Sequence, residues 1–142
     1  VTNSQKALDL IKASEYLDNK QINSIFKSCY NTYSVALLGS KNYTLLEQSL
    51  KDWRKLNLTQ SEINQDFLYL TARLQEETGK TKEAIKSFQS YLELNNDPFA
   101  NFHLGKCYLE NKNRNSACLE FKTACENDVE LACRYLKIKC DD

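Results

Sequence analysis

Cysteines stand at positions 118, 125, 133 and 140, at steps of seven, eight and seven. Four thiols so close together are able to hold a metal, supply a nucleophile or pair as disulfides. The stretch reads as two helices, about 114–126 and 129–140, joined by the short turn Glu126-Asn127-Asp128. A turn that short makes neighbouring helices antiparallel. Residues that face each other across such a pair have numbers with a constant sum. Cys125 with Cys133 and Cys118 with Cys140 share one sum, so both pairs fit the same register. Seven residues are nearly two helical turns, which puts the two thiols of each helix on one face. This favours two interhelical disulfides, Cys118–Cys140 and Cys125–Cys133. A single zinc is disfavoured, because sulfurs seven residues apart lie about 10 Å apart along the axis and zinc holds each at about 2.3 Å. The remaining alternative is that the thiols are small buried hydrophobes. Cys29 and Cys107 are left unpaired. Cys107 follows His103, the only histidine, by four residues, a spacing that admits a thiol–imidazole nucleophile or half a metal site. The plainer reading is an ordinary histidine beside a buried cysteine.

The elements that position these groups are helical. With three Gly and one Pro there is little punctuation for hairpin turns or phosphate loops, while Leu, Lys, Glu, Gln and Ala are plentiful. Helical periodicity predicts helices at about 4–17, 20–39, 43–57, 60–78, 81–95, 98–111, 114–126 and 129–140. Thr59 with Glu62 reads as a capping box, and Asp97-Pro98 as a helix start. Gly39 and Gly79 read as helix ends in the left-handed conformation. The length suits one domain with a real core. Nineteen basic and nineteen acidic residues cancel, so no charge footprint points to nucleic acid or to an anionic membrane. No apolar run approaches the roughly 18–20 residues of a membrane span. The chain opens on Val1 rather than Met, from which a processed chain or a fragment is expected, with any targeting segment out of view. Asn42-Tyr43-Thr44 and Asn57-Leu58-Thr59 have the form of glycosylation sequons, discounted here because the chain is rich in Asn.

The helices repeat. KEAIKSFQSYLEL (82–94) aligns with NSACLEFKTACEN (115–127), placing Ala84, Phe88 and Tyr91 over Ala117, Phe121 and Ala124. Upstream, Ala72 falls over Gly105, at the same offset of 33 residues. A looser copy includes Ser34, Leu46, Leu50 and Trp53. The unit Leu104-Gly105, Tyr108, Ala117, Phe121, Ala124 resembles the tetratricopeptide repeat, with small residues for close helix approach and large ones for the next gap. The resemblance covers about 27–130 in three units and is clearest in the third. It implies an all-α, right-handed solenoid of antiparallel helix pairs, with 1–26 as N-terminal helices and 129–140 as a C-terminal cap. The step of eight between Cys125 and Cys133 also resembles the cysteine-rich Sel-like repeats of the Helicobacter cysteine-rich family. Cys118 and Cys140 go beyond that pattern, and the earlier hairpins lack it.

The repeat resemblance implies a protein or peptide partner on the first helix of each hairpin. Transferred residue by residue, that face comprises Ser28, Asn31, Val35 and Leu38; Asp66, Tyr69, Arg73 and Glu76; and Phe99, Phe102, Lys106 and Leu109. Of these, Asn31, Tyr69, Arg73, Phe99, Phe102 and Lys106 are the expected contacts, mixing aromatic anchors with cations. Phe99 and Phe102 are equally suited to filling the core between hairpins. The basic-and-Asn pattern that clamps a terminal carboxylate in some family members is absent. A noncatalytic scaffold without cofactor is therefore expected. If the disulfides form, it works in an oxidising compartment, periplasmic or secreted, within a bacterial secretion, pilus or flagellar assembly. The resemblance to the Helicobacter family implies an alternative, penicillin binding or weak hydrolysis, for which no nucleophile–base–orienter set is visible. A third reading is a structural piece of a longer helical array.

Overall fold

The computed structural model describes Lys6 and residues 19–55 and 65–141. Seven α-helices lie among them: α1 (Asn19–Gly39), α2 (Tyr43–Arg54), α3 (Gln65–Glu77), α4 (Thr81–Leu94), α5 (Pro98–Glu110), α6 (Arg114–Glu126) and α7 (Glu130–Lys139). No strand occurs among the described residues. The helix expected at 4–17, apart from Lys6, and the Thr59/Glu62 capping box lie outside them. The chain forms two compact units, Val1–Leu70 and Thr71–Asp142.

In the first unit α1 and α2 form an antiparallel hairpin. Ser34 Oγ and Ser49 Oγ share a buried hydrogen bond of 2.9 Å. Tyr30 stacks on Trp53 at 6.2 Å. Leu37, Leu46 and Leu50 are buried around these two contacts. Asn42 caps α2 by accepting from the Leu45 N–H at 3.3 Å. The expected left-handed stop at Gly39 is corrected here: Gly39 is the last helical residue, and the positive φ of 56° belongs to Lys41. The reason is that the Asn42 N–H reaches back to the Leu37 carbonyl at 2.9 Å, which closes the helix one turn-residue later. Edge-on contact of Phe67 with Trp53, 5.5 Å between centroids, ties the start of α3 into this unit.

The second unit holds the rest of α3 and then α4 to α7, with α4, α5 and α6 each packed on the helix that follows. Here the expected helix stop at Gly79 holds, at φ 75°. The Asp97 carboxylate caps α5, accepting from the Phe99 and Ala100 N–H groups at 3.0 and 3.3 Å, with Pro98 in the first turn. Lys112 and Asp128 carry the left-handed residue in the next two turns. Between α4 and α5, Thr81 Oγ1 donates to Glu110 at 3.0 Å and Phe88 stacks on His103 at 5.9 Å, the pairing of antiparallel helices. Phe102, Ala117, Phe121, Ala124, Val129 and Ala132 form a buried core, with Tyr135 and Leu136 against it. Gly105 is what lets α5 and α6 close, since a Cβ there would meet Phe121 Cε1 at 2.6 Å.

Both expected disulfides are present. Cys118 and Cys140 are joined with Cα atoms 5.7 Å apart, and Cys125 and Cys133 with Cα atoms 4.7 Å apart. They fasten α6 to α7 at two levels of one antiparallel pair.

Candidate functional site

The most highly charged interior group in the second unit is Glu76, at the end of α3. Its side chain is only 4% exposed, yet three cationic or cation-capable groups converge on it. Arg73 Nε, one turn earlier on α3, lies 3.0 Å from Oε2. From α5, His103 Nδ1 comes to 2.9 Å of Oε2 and Lys106 Nζ to 2.8 Å of Oε1. Arg73 also reaches Glu77 Oε1 through Nη2, at 3.1 Å. Residues 103 and 106 are three apart, so one helix face presents both to the carboxylate. Burial is the strongest influence on Glu76 and works to raise its pKa. The hydrogen bond and charge of His103, followed by those of Lys106, outweigh it and leave the carboxyl below its ordinary value. The carboxylate is ionised at neutral pH and fixes the directions of Arg73 and Lys106. Lys106 also sits 5.8 Å over the Phe102 ring.

The expected contact residues divide sharply. Arg73 and Lys106 meet on Glu76, and Phe99 stands 61% exposed near the start of α5. Phe102, three residues further on, is 7% exposed and serves the core. Its ring lies 5.9 Å from Phe121 and 5.3 Å from Tyr135, with Lys106 Nζ 5.8 Å from its centroid, the core-filling place that the sequence also allowed it. Asn31 and Tyr69 belong to the first unit, where Asn31 Nδ2 donates to Asp66 Oδ2 at 3.1 Å and Tyr69 is half-buried. What sequence reading undervalued was Glu76 and its partner His103. A signal existed in the repeat register: the residue 33 positions after Glu76 is Leu109, which packs on the core, and an acid in such a place needs partners.

The His103–Cys107 spacing does not make a nucleophile. Cys107 is fully buried, and burial first, then the Glu76 and Glu110 carboxylates, push its thiol up to about 12. His103 directs Nδ1 to Glu76 instead. Among the described residues no group of three or more His, Cys, Asp or Glu is placed to hold a metal ion. Nor is any helix among them long and apolar enough to cross a membrane.

The arrangement is that of an all-α helix-hairpin repeat protein presenting fixed cations and an aromatic ring on first-helix positions. Residues 66–95, spanning α3 and α4, match the family model of the tetratricopeptide repeat. The match falls on the second of the three sequence units rather than the third, where the small-and-large pattern is clearest. No curated protein and no solved structure matches the chain, so the likeness of its stapled end to the Helicobacter cysteine-rich family rests on cysteine spacing alone. Repeats of the tetratricopeptide type point to a protein partner.

Proposed function

We propose that the chain is a noncatalytic scaffold that binds a protein or peptide through first-helix positions of its hairpins. Asn31 and Tyr69 serve in the first unit, and Arg73, Phe99 and Lys106 in the second. The observation that carries this reading is the pairing of an exposed aromatic with cations already held in place. Phe99 has no core to fill, and Glu76 has frozen Arg73 and Lys106, so little side-chain entropy is lost when a partner arrives. The two disulfides are compatible with work in an oxidising compartment, and we place the chain in the periplasm or outside the cell. There it acts within a bacterial envelope assembly of the secretion, pilus or flagellar kind.

The test is a pull-down from the envelope fraction with wild-type chain, Phe99→Ala and Arg73→Gln, each checked for unchanged helical circular dichroism. A partner retained by the wild type should be lost or depleted several-fold with both variants. Equal recovery by all three would refute this face as the binding surface.

A further inference from the structure

The turn after α4 differs from the others of the second unit. After α3, α5 and α6 a backbone N–H returns to the helix just ended: Lys80 to the Gln75 carbonyl at 2.8 Å, Asn113 to Tyr108 at 2.8 Å and Val129 to Ala124 at 3.1 Å. After α4 the chain departs in extended form, with φ −140° and ψ 133° at Asn95. Among the described residues no backbone N–H of 95–97 returns to that helix. The Asn95 side chain takes the Tyr91 carbonyl at 2.8 Å, which leaves the final carbonyls of α4, the negative end of its dipole, open. A cleft of about 400 Å³ lies at this end, and its lining includes Leu92, Glu93, Leu94, Asn95, Asn101 and Thr123. Asn101 stands two residues beyond Phe99, roughly 200° around α5, so it projects away from the face that carries Phe99.

The fixed polar side chains of the cleft are all left as acceptors. Asn95 Nδ2 donates to the Tyr91 carbonyl, Asn101 Nδ2 to the Glu120 carboxylate at 2.7 Å, and Thr123 Oγ1 to the Leu119 carbonyl at 3.1 Å. Each of these partners can only accept, so the direction of every bond is settled by chemistry. What remains is Asn95 Oδ1, Asn101 Oδ1 and the lone pairs of Thr123 Oγ1. Asn96, also on the cleft, is exposed and can turn either end of its amide inward. Glu93 makes no ion pair among the described residues and adds a full negative charge. A guest rich in acceptors, or an anion, is repelled by such a lining. Three fixed acceptors match the three N–H donors of an alkylammonium, and Glu93 and the helix end complement its charge. Leu92 and Leu94, the latter 66% exposed, offer an apolar surface for its carbon stem.

We infer that this cleft binds a primary alkylammonium group, either free as a polyamine or carried on a lysine side chain of a partner. The test follows amide NMR spectra of the full chain, disulfides intact, titrated separately with spermidine and with Nα-acetyl-lysine amide. At least one of them should shift the backbone signals of 93–96 and the side-chain amides of Asn95 and Asn101, saturating with a dissociation constant of about 1 mM or tighter. Saturation by spermidine alone assigns a free polyamine; saturation by the lysine derivative assigns a protein-borne side chain. The same derivative acetylated at Nε, which has lost its charge, should leave the spectrum unchanged. Glu93→Gln alters only an exposed side chain, and its spectrum should otherwise superimpose on that of wild type. It should weaken binding about fivefold. Failure of both amines to saturate by about ten times that concentration overturns the inference. Equal binding of the Nε-acetylated derivative, or undiminished binding by Glu93→Gln, overturns it as well.

Discussion

Gly105 shows how much one hydrogen atom can decide. Replacing it by Ala removes a helix-interior glycine, which by propensity alone stabilises by about 1 kcal/mol. The new methyl, however, would sit 2.6 Å from the Phe121 ring, which is itself fully buried between Phe102 and Tyr135 and has no free direction to move. Overpacking of that kind costs about 1–3 kcal/mol. Gly105→Ala should therefore lower stability by about 0–2 kcal/mol in urea melts, and a gain would show that the α5–α6 spacing is looser than described. Glu76 contributes to the response to acid. Its folded pKa lies below its unfolded one, so its contribution is present above about pH 4.3 and is lost as pH falls through the folded value. Glu76→Gln should cost about 1–2 kcal/mol at pH 7, from weakened bonds to charged partners. The variant should also lose stability less steeply than wild type below pH 4. Parallel acid curves for the two proteins would contradict the assignment. Cys107 gives a third readout at this scale: iodoacetamide should leave it unmodified in the native protein and alkylate it once the chain is unfolded without reductant.

Helices themselves were largely legible in the residues. The expected spans 81–95, 98–111 and 114–126 match α4, α5 and α6 to within a residue, and side-chain caps mark the starts of two of them: Asp97 for α5 and Asn113 for α6. The disulfide pairing was legible for a related reason, since the antiparallel register is fixed as soon as a three-residue turn is recognised. The stop at Lys41 was not, because a single non-glycine left-handed residue costs only about 1–2 kcal/mol and backbone bonds offset it. The stapled pair α6–α7 also yields a prediction. On the chain-entropy model each bridge contributes about 2–3 kcal/mol. Reduction and alkylation should therefore speed amide exchange along α7 by at least about tenfold while leaving α4 nearly unchanged. Unaltered protection of α7 would mean that its packing on Phe121 and Phe102 suffices without the bridges.

For the molecule taken whole, the 33-residue period revealed the repeat because packing each hairpin on the next demands small and large residues at fixed places. The face proposed for binding was harder to read. Helix α5 is apolar on several sides, as a helix packed against both α4 and α6 must be, so periodicity alone does not say that Phe99 faces outward and Phe102 inward. Glu76 was harder still: its partners lie 27 and 30 residues ahead on a different helix, and no local pattern announces such a contact. The staples have one more consequence, a mechanical one. Cys118 and Cys140 lie 22 residues apart in sequence, so a pull on the backbone beyond Cys140 passes through sulfur directly into α6. Helix α7 then bears no tension and cannot be peeled away first. About 75 Å of contour length should stay hidden in a stretching trace until a reductant is added.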